Sequence, residues 1–328
     1  MDHGQTGETR EHLTTAHTID AGAAALRAGK LVAFPTETVY GLGADATNDQ
    51  AVASIFEAKG RPRFNPLIIH LPDREQASSL AIWTPLADRL AKQFWPGPLT
   101  LVLEKCENSP VSMLANAGGA TIALRTPDHP ITLALLRKTG LPIAGPSANP
   151  AGRISPTTAD HVIQGLGDRV EVVIDGGAAS IGVESTVLDL STPTPSLLRP
   201  GGLPRETIEA VIGSPLITRA CTESDDQAPR SPGQLPSHYA PHHPVRLDAH
   251  HVRADEALLA FGQAPIEGAA YTLNLSKSGD LREAAGNLFA MLHELDRQSV
   301  LGIAVMPIPA TGLGEAIRDR LKRAAIRP

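Results

Sequence analysis

Short apolar runs alternate with segments of helical periodicity along the first two thirds of the chain. Apolar residues spaced three or four positions apart predict amphipathic helices, and apolar runs of a few residues between turn-forming residues predict buried strands. The predicted helices lie at 19–28, 51–58, 85–94, 131–139 and 158–166. The predicted strands lie at 31–34, 67–71, 99–103, 121–125, 143–144, 172–175 and 187–189. This interleaving indicates an α/β domain with a mixed sheet.

A change in composition near residue 214 divides the chain. Prolines recur through residues 214–244 with little apolar periodicity, which predicts an extended and stiff linker. Beyond the linker, strand patterns at 244–247, 258–261, 270–275 and 302–307 and helical patterns at 280–297 and 313–324 predict a small α/β domain of Rossmann-like layering. No G-x-G-x-x-G follows its first strand, so nothing predicts a dinucleotide site. We expect a disordered tail at 1–17, a main domain at 18–213, the linker at 214–244 and a C-terminal domain at 245–328.

Composition narrows the class of protein. A hydrophobic content of 42% with 20% charged residues is typical of globular domains. The net charge of -6 and the aromatic content of 3% count against a nucleic-acid-binding surface, which needs positive charge and exposed rings. No stretch approaches the roughly 18 apolar residues that a membrane span needs. The N-terminus is unlike a signal peptide, so we expect a soluble cytoplasmic protein whose two cysteines, Cys106 and Cys221, are reduced.

Several common catalytic motifs are absent. The sequence has neither the G-x-x-x-x-G-K-[ST] phosphate loop nor the H-E-x-x-H zinc motif, and no metal site is predicted. Residues 145–149, G-P-S-A-N, resemble a nucleophile elbow, but the second glycine is missing and a proline precedes the serine. A serine hydrolase is therefore disfavoured.

Four polar clusters are expected on loops after strands, where α/β folds place their ligands. The first, F-P-T-E-T-V-Y-G-L-G at 34–43, combines hydroxyls, a carboxylate and glycines that permit close approach to a ligand, although a plain turn would also explain it. The second, K-G-R-P-R-F-N-P at 59–66 followed by His70, is a proline-stiffened cationic loop. Its cations suit polyphosphate oxygens, and they could equally cap the preceding helix.

The third and fourth clusters also carry cations. The third comprises Thr121, Arg125 and G-P-S-A-N-P-A-G-R-I-S at 145–155, and Arg125 could hold a carboxylate through two parallel hydrogen bonds. The fourth is G-V-E-S-T at 182–186 with R-P-G at 199–201. Each of these, taken alone, is more typical of a turn than of a site.

Together, the order and spacing of the four clusters strongly resemble the threonylcarbamoyl-AMP synthase family, whose catalytic unit is the YrdC-like domain. The K-x-R and S-x-N pairs of that family stand here as Lys59/Arg61 and Ser147/Asn149. The resemblance covers residues 19–213 closely. It implies a YrdC-like twisted mixed sheet with flanking helices for residues 18–213, as the catalytic domain.

The resemblance continues through the linker, with S-P-G at 231–233 and H-Y-A-P at 238–241, to the small Rossmann-like C-terminal α/β domain. It therefore implies the long, two-domain form of the family. One departure is Q-L-P-S at 234–237, where the family usually has a methionine and basic or aromatic residues. That departure puts a basic contact from this segment in doubt.

By position, the resemblance implies two sets of binding residues. Threonine would be bound by Thr38, His70, Arg125, Ser185 and the backbone of Gly145. ATP would be bound by Lys59, Arg61, Asn65, Thr121, Ser147, Asn149, Ser155, Arg199 and, from the linker, Tyr239. Lys59 and Arg61 would be the catalytic cations.

The implied reaction joins L-threonine, bicarbonate or CO2 and ATP, with Mg2+ carried on the nucleotide, into threonylcarbamoyl-AMP and pyrophosphate. A carbamate oxygen attacks the α-phosphorus, so the protein must align two anions rather than supply a nucleophile. The product would pass to a downstream tRNA threonylcarbamoyl transferase that modifies the adenosine beside the anticodon. Direct tRNA binding is left open. The rival interpretations are an RNA-binding module and a carbamoyl-phosphate-handling domain of the hydrogenase-maturation type.

The linker is expected to act as a lid, because carbamates decompose in water and a covering segment excludes solvent. It holds His238 and Tyr239, two side chains able to stack and to hydrogen-bond. We expect Tyr239→Ala to change the free energy of unfolding by less than about 1 kcal/mol, as for a substitution away from the core. A chain ending near Ile212 is expected to keep its fold.

Overall fold

The computed structural model describes residues 15–62, 65–218 and 238–326. The helices are α1 (Thr15–Arg27), α2 (Asp49–Lys59), α3 (Arg74–Ser78), α4 (Pro85–Phe94), α5 (Pro130–Thr139), α6 (Ala159–Leu166), α7 (Arg205–Ile212), α8 (Leu281–Leu295) and α9 (Leu313–Ala325). The strands are β1 (Val32–Phe34), β2 (Gly41–Asp45), β3 (Ile68–His70), β4 (Leu99–Glu104), β5 (Thr121–Arg125), β6 (Ile143–Ala144), β7 (Val172–Val173), β8 (Thr186–Asp189), β9 (Ser196–Arg199), β10 (Ile217–Thr218), β11 (Val245–Arg246), β12 (Glu256–Ala260), β13 (Tyr271–Asn274) and β14 (Gly302–Val305).

Ten strands form a mixed sheet in the larger domain, in the order β10-β9-β8-β4-β5-β3-β6-β2-β1-β7. Its main core buries apolar side chains of the sheet against the helices, among them Ile55, Leu90 and Leu101. The predicted α/β class and mixed sheet are confirmed. The predicted helix at 85–94 and the strands at 121–125 and 143–144 agree with the structure to the residue.

Three strands of this sheet end in site residues and run in the same direction. Strand β3 is parallel to β5, and β9 is parallel to both through β4 and β8. Their last residues are His70, Arg125 and Arg199, and His70 lies directly beside Arg125 in the ladder. Strand β8 runs the opposite way, so its first residue, Thr186, lies at the same end of the sheet as the last residues of the other three strands. The polar side chains therefore lie together where these strands end.

The C-terminal domain has a four-stranded parallel sheet in the order β11-β14-β12-β13, covered by α8 and α9. This confirms the predicted small α/β domain. Helix α8 buries Leu288, Phe289 and Leu292 on its inner face. The same core cluster includes Val39 and Val183 of the larger domain, so the two domains share packed apolar surface.

Some elements differ from the sequence prediction. The cluster at 34–43 was expected on a loop, but Gly41 begins strand β2. A Cβ at Gly41 would lie 2.6 Å from the Phe34 ring, so this strand depends on glycines under an aromatic ring and carries no apolar alternation. Strand β9 and helix α7 were not predicted, and β10 pairs with β9 inside the expected linker.

Parts of the prediction lie outside the described residues. These are most of the tail at 1–17, the linker motifs at 231–233 and 234–237, Cys221, and two positions of the cationic loop, 63 and 64. Cys106 is a free thiol. Within residues 15–62, 65–218 and 238–326, none of the helices is both long and apolar enough to cross a bilayer.

Candidate active site

A cavity of about 40 Å3 opens at one end of the strands of the large sheet. Seven of the residues predicted from the sequence line it: Thr38, His70, Arg125, Gly145, Ser147, Ser185 and Arg199. Thr36, Val39, Tyr40, Gly41, Ile68, Pro146 and Glu184 complete the lining. Residues of all four sequence clusters or their flanks thus meet in one place, although they are up to 163 positions apart between Thr36 and Arg199.

The loop between β1 and β2 fixes the direction in which the hydroxyl of Thr38 donates its proton. The Thr36 hydroxyl oxygen lies 2.6 Å from the carbonyl of Val39 and donates to it. The same oxygen lies 2.8 Å from Oγ1 of Thr38. Because Thr36 has only one hydroxyl proton, Thr38 is the donor in that second bond. The lone pairs of Thr38 therefore remain free to accept a hydrogen bond from a ligand.

Arg125, the last residue of β5, is fixed by two buried contacts. Its Nη2 donates to Oε1 of Glu37 at 2.6 Å, and its Nε donates to the carbonyl of Gly97 at 3.2 Å. Both charged side chains are almost fully buried. Arg125 lines the cavity whereas Glu37 does not, and Oε2 of Glu37 has no hydrogen-bond partner. The ion pair thus orients the guanidinium toward the cavity.

His70 contributes a neutral ring to the cavity wall. Burial, together with the nearby charge of Arg125, lowers the pKa of His70 to about 3. The ring packs edge-on against Phe34, with 5.5 Å between the ring centroids. A Cβ at Gly145 would lie 3.0 Å from Nδ1 of His70 and 3.0 Å from the Phe34 ring. Any side chain at Gly145 would therefore press on both rings, which explains the glycine.

Lys59 and Arg61 are brought into the protein interior by the end of helix α2. Gly60 caps the helix in the left-handed region, with φ of 61°, and turns the chain inward. The ammonium of Lys59 donates to the carbonyls of Ser147 and Asn149, which joins the K-x-R and S-x-N pairs directly. The sequence predicted a cationic loop suited to polyphosphate oxygens, with a helix cap as the alternative, and the structure buries both side chains.

Burial of these cations shifts their pKa values. Burial first, and then the charge of Arg61, lowers the pKa of Lys59 well below its usual value. Burial and the charge of Arg199 lower the pKa of Arg61 to about 10, although Tyr239 acts in the opposite direction. Burial likewise lowers the pKa of Arg199. Buried cations that repel one another favour the binding of an anion between them.

Arg199, the last residue of β9, is held against Ser185. Its Nη2 donates to the carbonyl of Ser185 at 2.8 Å and lies 3.2 Å from Oγ of the same residue. The Ser185 hydroxyl also lies 2.7 Å from the hydroxyl of Thr100 on β4. Ser185 therefore links the cation to the sheet.

Glu184 is the buried carboxylate among these cations. It accepts hydrogen bonds from the hydroxyl of Ser155 and from Nε of Arg320, which belongs to helix α9. Burial alone would raise the pKa of Glu184, but the charges of Arg320 and Arg199 and the Ser155 hydrogen bond outweigh it and lower the pKa. Glu184 is thus charged in the folded protein, and both of its oxygens are engaged.

His238 and Tyr239, from the described end of the expected linker, lie near the same cations. Both side chains are buried. Burial, followed by the charges of Arg61 and Lys59, lowers the pKa of His238 well below its usual value, so its ring is neutral. Tyr239 stacks on Phe289 of α8, and its hydroxyl has no hydrogen-bond partner.

The remaining predicted ATP residues divide into two groups. Asn65 and Asn149 are buried, with side-chain amide atoms that lack partners, and Nε of Arg61 donates to the carbonyl of Asn65 at 3.4 Å. Thr121 begins β5, at the end of that strand opposite Arg125, and does not line the cavity. The structure therefore brings Asn65 and Asn149 to the cations but leaves Thr121 apart from the cavity.

Sequence reasoning gave no role to Glu37, Glu184 or Arg320. Glu37 and Glu184 stood inside two recognised motifs, so a signal was available for both. Arg320 lies beside Leu321 and three positions after Ile317, on the inward stripe of α9. A charged residue on an apolar helix face was the signal that could have identified it.

Two family models match almost the whole chain. One, described as Telomere recombination, matches residues 24–201, and one for the C-terminal domain of threonylcarbamoyl-AMP synthase matches residues 203–326. The threonylcarbamoyl-AMP synthase of Bacillus subtilis is 42% identical over 332 residues, which span 97% of this chain and 95% of that protein. The Pyrococcus abyssi threonylcarbamoyl-AMP synthase is 45% identical, covering 94% of each.

Solved structures agree with these matches. The crystal structure of P. abyssi Sua5 complexed with L-threonine superposes with a TM-score of 0.87 at 42% identity, covering 96% of each chain. A structure of a P. abyssi Sua5 variant, in which a histidine and the following tyrosine are replaced by alanine, gives a TM-score of 0.85. The fold and both domains match, and the chain belongs to the threonylcarbamoyl-AMP synthase family.

Proposed function

We propose that this chain makes threonylcarbamoyl-AMP and pyrophosphate from L-threonine, bicarbonate or CO2, and ATP. The observation that carries the proposal is the group of buried cations, Lys59, Arg61 and Arg199, beside a cavity lined by polar side chains. Their lowered pKa values reflect the cost of holding positive charges together out of water. A polyphosphate would remove that cost.

The cavity itself suits a small amino acid with a hydroxyl. Arg125, oriented by Glu37, is the cation that would bind the carboxylate of threonine. Thr38 offers hydrogen-bond acceptor lone pairs, which suit the amine or the hydroxyl of threonine. The neutral ring of His70 and the bare backbone of Gly145 would form the wall beside it.

The chemistry needs positioning rather than a protein nucleophile. The threonine amine adds to CO2, loses a proton and gives a carbamate, and a carbamate oxygen attacks the α-phosphorus of ATP. The bond from the α-phosphorus to the bridging oxygen breaks, and pyrophosphate leaves. We propose that Lys59, Arg61 and Arg199 stabilise the charge that develops on the phosphate oxygens. We infer that Lys59 and Arg61 are the catalytic cations.

Magnesium enters this proposal as the ion that ATP carries. Glu184 already accepts hydrogen bonds on both carboxylate oxygens, from Ser155 and Arg320. Among the residues that the structure describes, no group of three or more His, Cys, Asp or Glu side chains is placed to hold a metal ion. We propose that Mg2+ arrives on the phosphates of ATP, as part of the substrate.

The product defines the partner that we expect. Threonylcarbamoyl-AMP is a mixed anhydride, which water hydrolyses and which an amine can attack. We propose that a tRNA threonylcarbamoyl transferase takes it up in the cytoplasm and transfers the threonylcarbamoyl group to the adenosine beside the anticodon.

Omission of each substrate in turn tests this function. Purified protein should release pyrophosphate only when ATP, L-threonine and bicarbonate are all present, because the nucleophile is built from two of them. Serine should be a poorer substrate, since one missing methyl group in a fitted pocket costs roughly 1–3 kcal/mol. Undiminished pyrophosphate release without threonine would rule the proposal out.

A further inference from the structure

Two helices of the C-terminal domain, α8 and α9, contact the part of the site that holds the candidate ATP residues Ser155, Arg199 and Tyr239. We call this part the nucleotide side. The G-V-E-S-T loop passes so close to α8 that a Cβ at Gly182 would lie 2.4 Å from the carbonyl oxygen of Ala285. On the same helix, Phe289 carries the stacked ring of Tyr239. Backbone contact at Gly182 and ring contact at Tyr239, itself a candidate ATP residue, therefore join the two domains here.

The side chain of Arg320, on α9, extends into the site. Its side chain is 0% exposed. Nε donates to Glu184 at 2.7 Å, and Nη1 donates to the carbonyl of Pro200, next to Arg199, at 2.9 Å. The guanidinium carbon lies 5.3 Å from the centre of the Tyr239 ring, and Nη2 has no hydrogen-bond partner. A cation in this position touches three parts of the nucleotide side at once.

Through Glu184, Arg320 also determines the hydrogen-bonding state of Ser155. The Ser155 hydroxyl donates its single proton to Glu184, so only its lone pairs are left for a ligand. The backbone carbonyl of Ser155 accepts from Nε2 of His293 on α8 at 3.2 Å. Two residues of the C-terminal domain thus fix Ser155 from two directions.

We propose that Arg320 is a positioning residue of the ATP site, and that the C-terminal domain completes this site through it. By holding Glu184, Arg320 keeps Ser155 as a hydrogen-bond acceptor. An acceptor suits a ribose hydroxyl or the adenine amino group and does not suit a phosphate oxygen, which is itself an acceptor. Ser155, which the family resemblance assigns to ATP, is therefore matched to the nucleoside part of ATP, while Lys59, Arg61 and Arg199 are matched to the phosphates. This inference rests on the proposed function.

The test must distinguish two effects of Arg320: that it holds Glu184 in position, and that it neutralises the charge of Glu184. Removing Arg320 alone leaves a buried carboxylate without its partner, which can prevent folding. Two variants of the full chain avoid this outcome: Arg320→Lys keeps the charge but loses the forked geometry, and Arg320→Met with Glu184→Gln removes both charges together. The matched control is Arg318→Met on the same helix, because Arg318 donates to the carbonyl of Ile308 within its own domain.

Pyrophosphate release is measured against ATP and against threonine, with folding checked by circular dichroism. We expect the KM for ATP to rise by about tenfold in Arg320→Lys and in the neutral pair, because a charge-assisted hydrogen bond is lost. The KM for threonine should stay within about twofold of wild type in both. Arg318→Met should match wild type in both constants.

A double-mutant cycle tests the route through Ser155. Ser155→Ala should raise the KM for ATP, and adding Arg320→Lys to it should raise that KM by less than twofold more, because both act through one contact. Fold-changes that multiply fully would overturn this route. A wild-type KM for ATP in folded Arg320→Lys or in the folded neutral pair would overturn the proposal as a whole. Wild-type protein that releases no pyrophosphate would instead contradict the proposed function.

Discussion

Glu37 is the residue whose role the structure changes most. It was one carboxylate in a polar motif, and it proves to be the buried partner that orients Arg125. Glu37→Gln keeps the size of the side chain and removes its charge. We expect the KM for threonine to rise roughly tenfold while the KM for ATP changes little, since the loss of a charge-assisted contact lets Arg125 move.

The matched control for Glu37→Gln is Glu57→Gln, on the exposed face of α2. This control should leave both KM values unchanged, because surface substitutions of this kind are nearly neutral. Equal shifts in the two KM values of Glu37→Gln would show that Glu37 supports the site as a whole rather than the carboxylate-binding cation.

Half of the residues that line the cavity were predicted from the sequence, but not the contacts that connect them. His70, Arg125 and Arg199 could be found because each stands in or near a recognisable motif. The pairing of Arg125 with Glu37, 88 positions away, and of Arg320 with Glu184, 136 positions away, depends on tertiary contacts that no local pattern encodes. Burial of Lys59 and Arg61 was also hidden, because charged residues are normally exposed.

At the scale of elements, strong periodicity was reliable and glycine-rich segments were not. Helix α4, with Pro85 at its start and a regular apolar stripe, was predicted to the residue. Strand β2 was missed because Gly41 and Gly43 leave no alternation to detect, and their role is to make room for the Phe34 ring. Strand propensity reflects packing against neighbours, which the sequence alone does not display.

Tyr239, near the end of the expected linker, gives the prediction at this scale. Tyr239 was expected outside the core, but it is 1% exposed and stacks on Phe289, so the expectation of a change below about 1 kcal/mol for Tyr239→Ala no longer follows. We now expect Tyr239→Ala to lower the free energy of unfolding by about 3–5 kcal/mol. Denaturant unfolding of the full chain measures it.

Tyr239→Phe is the matched variant, because it keeps the ring and removes a hydroxyl that has no partner in the protein. Its free energy of unfolding should stay close to that of wild type, while its KM for ATP should rise if the hydroxyl contacts the nucleotide. A mild effect of Tyr239→Ala on unfolding would mean that the ring is not part of the folded core.

At the scale of the whole molecule, the two domains depend on one another. The core cluster of the C-terminal domain includes Val39, Ile154 and Val183 of the larger domain. A chain ending near Ile212 would expose these side chains and leave Glu184 without Arg320. The expectation that such a chain keeps its fold is therefore weakened by the contacts between the domains.

The buried cations lead to a prediction about heat stability. Pyrophosphate at saturating concentration should raise the Tm by several degrees, since a ligand present at about 100 times its Kd adds about 2.7 kcal/mol. Adenosine at the same concentration should raise it less, because it offers no charge to the cations. Arg61→Gln should reduce the pyrophosphate effect, whereas Arg89→Gln, on the exposed face of α4, should leave it intact. An equal effect of pyrophosphate on Arg61→Gln would contradict the assignment of Arg61.

The same cations create a trade-off between thermal stability and catalytic activity, in evolution and in protein engineering. Lys59, Arg61 and Arg199 are buried in the folded chain, so folding bears the cost of taking these charges out of water and of the repulsion of Arg61 by Arg199 and of Lys59 by Arg61. Substitutions that relieve this repulsion would stabilise the chain and abolish catalysis. A library ranked by Tm in plain buffer would therefore become enriched in inactive proteins. Ranking the same library by the increase in Tm on adding pyrophosphate would select the active ones.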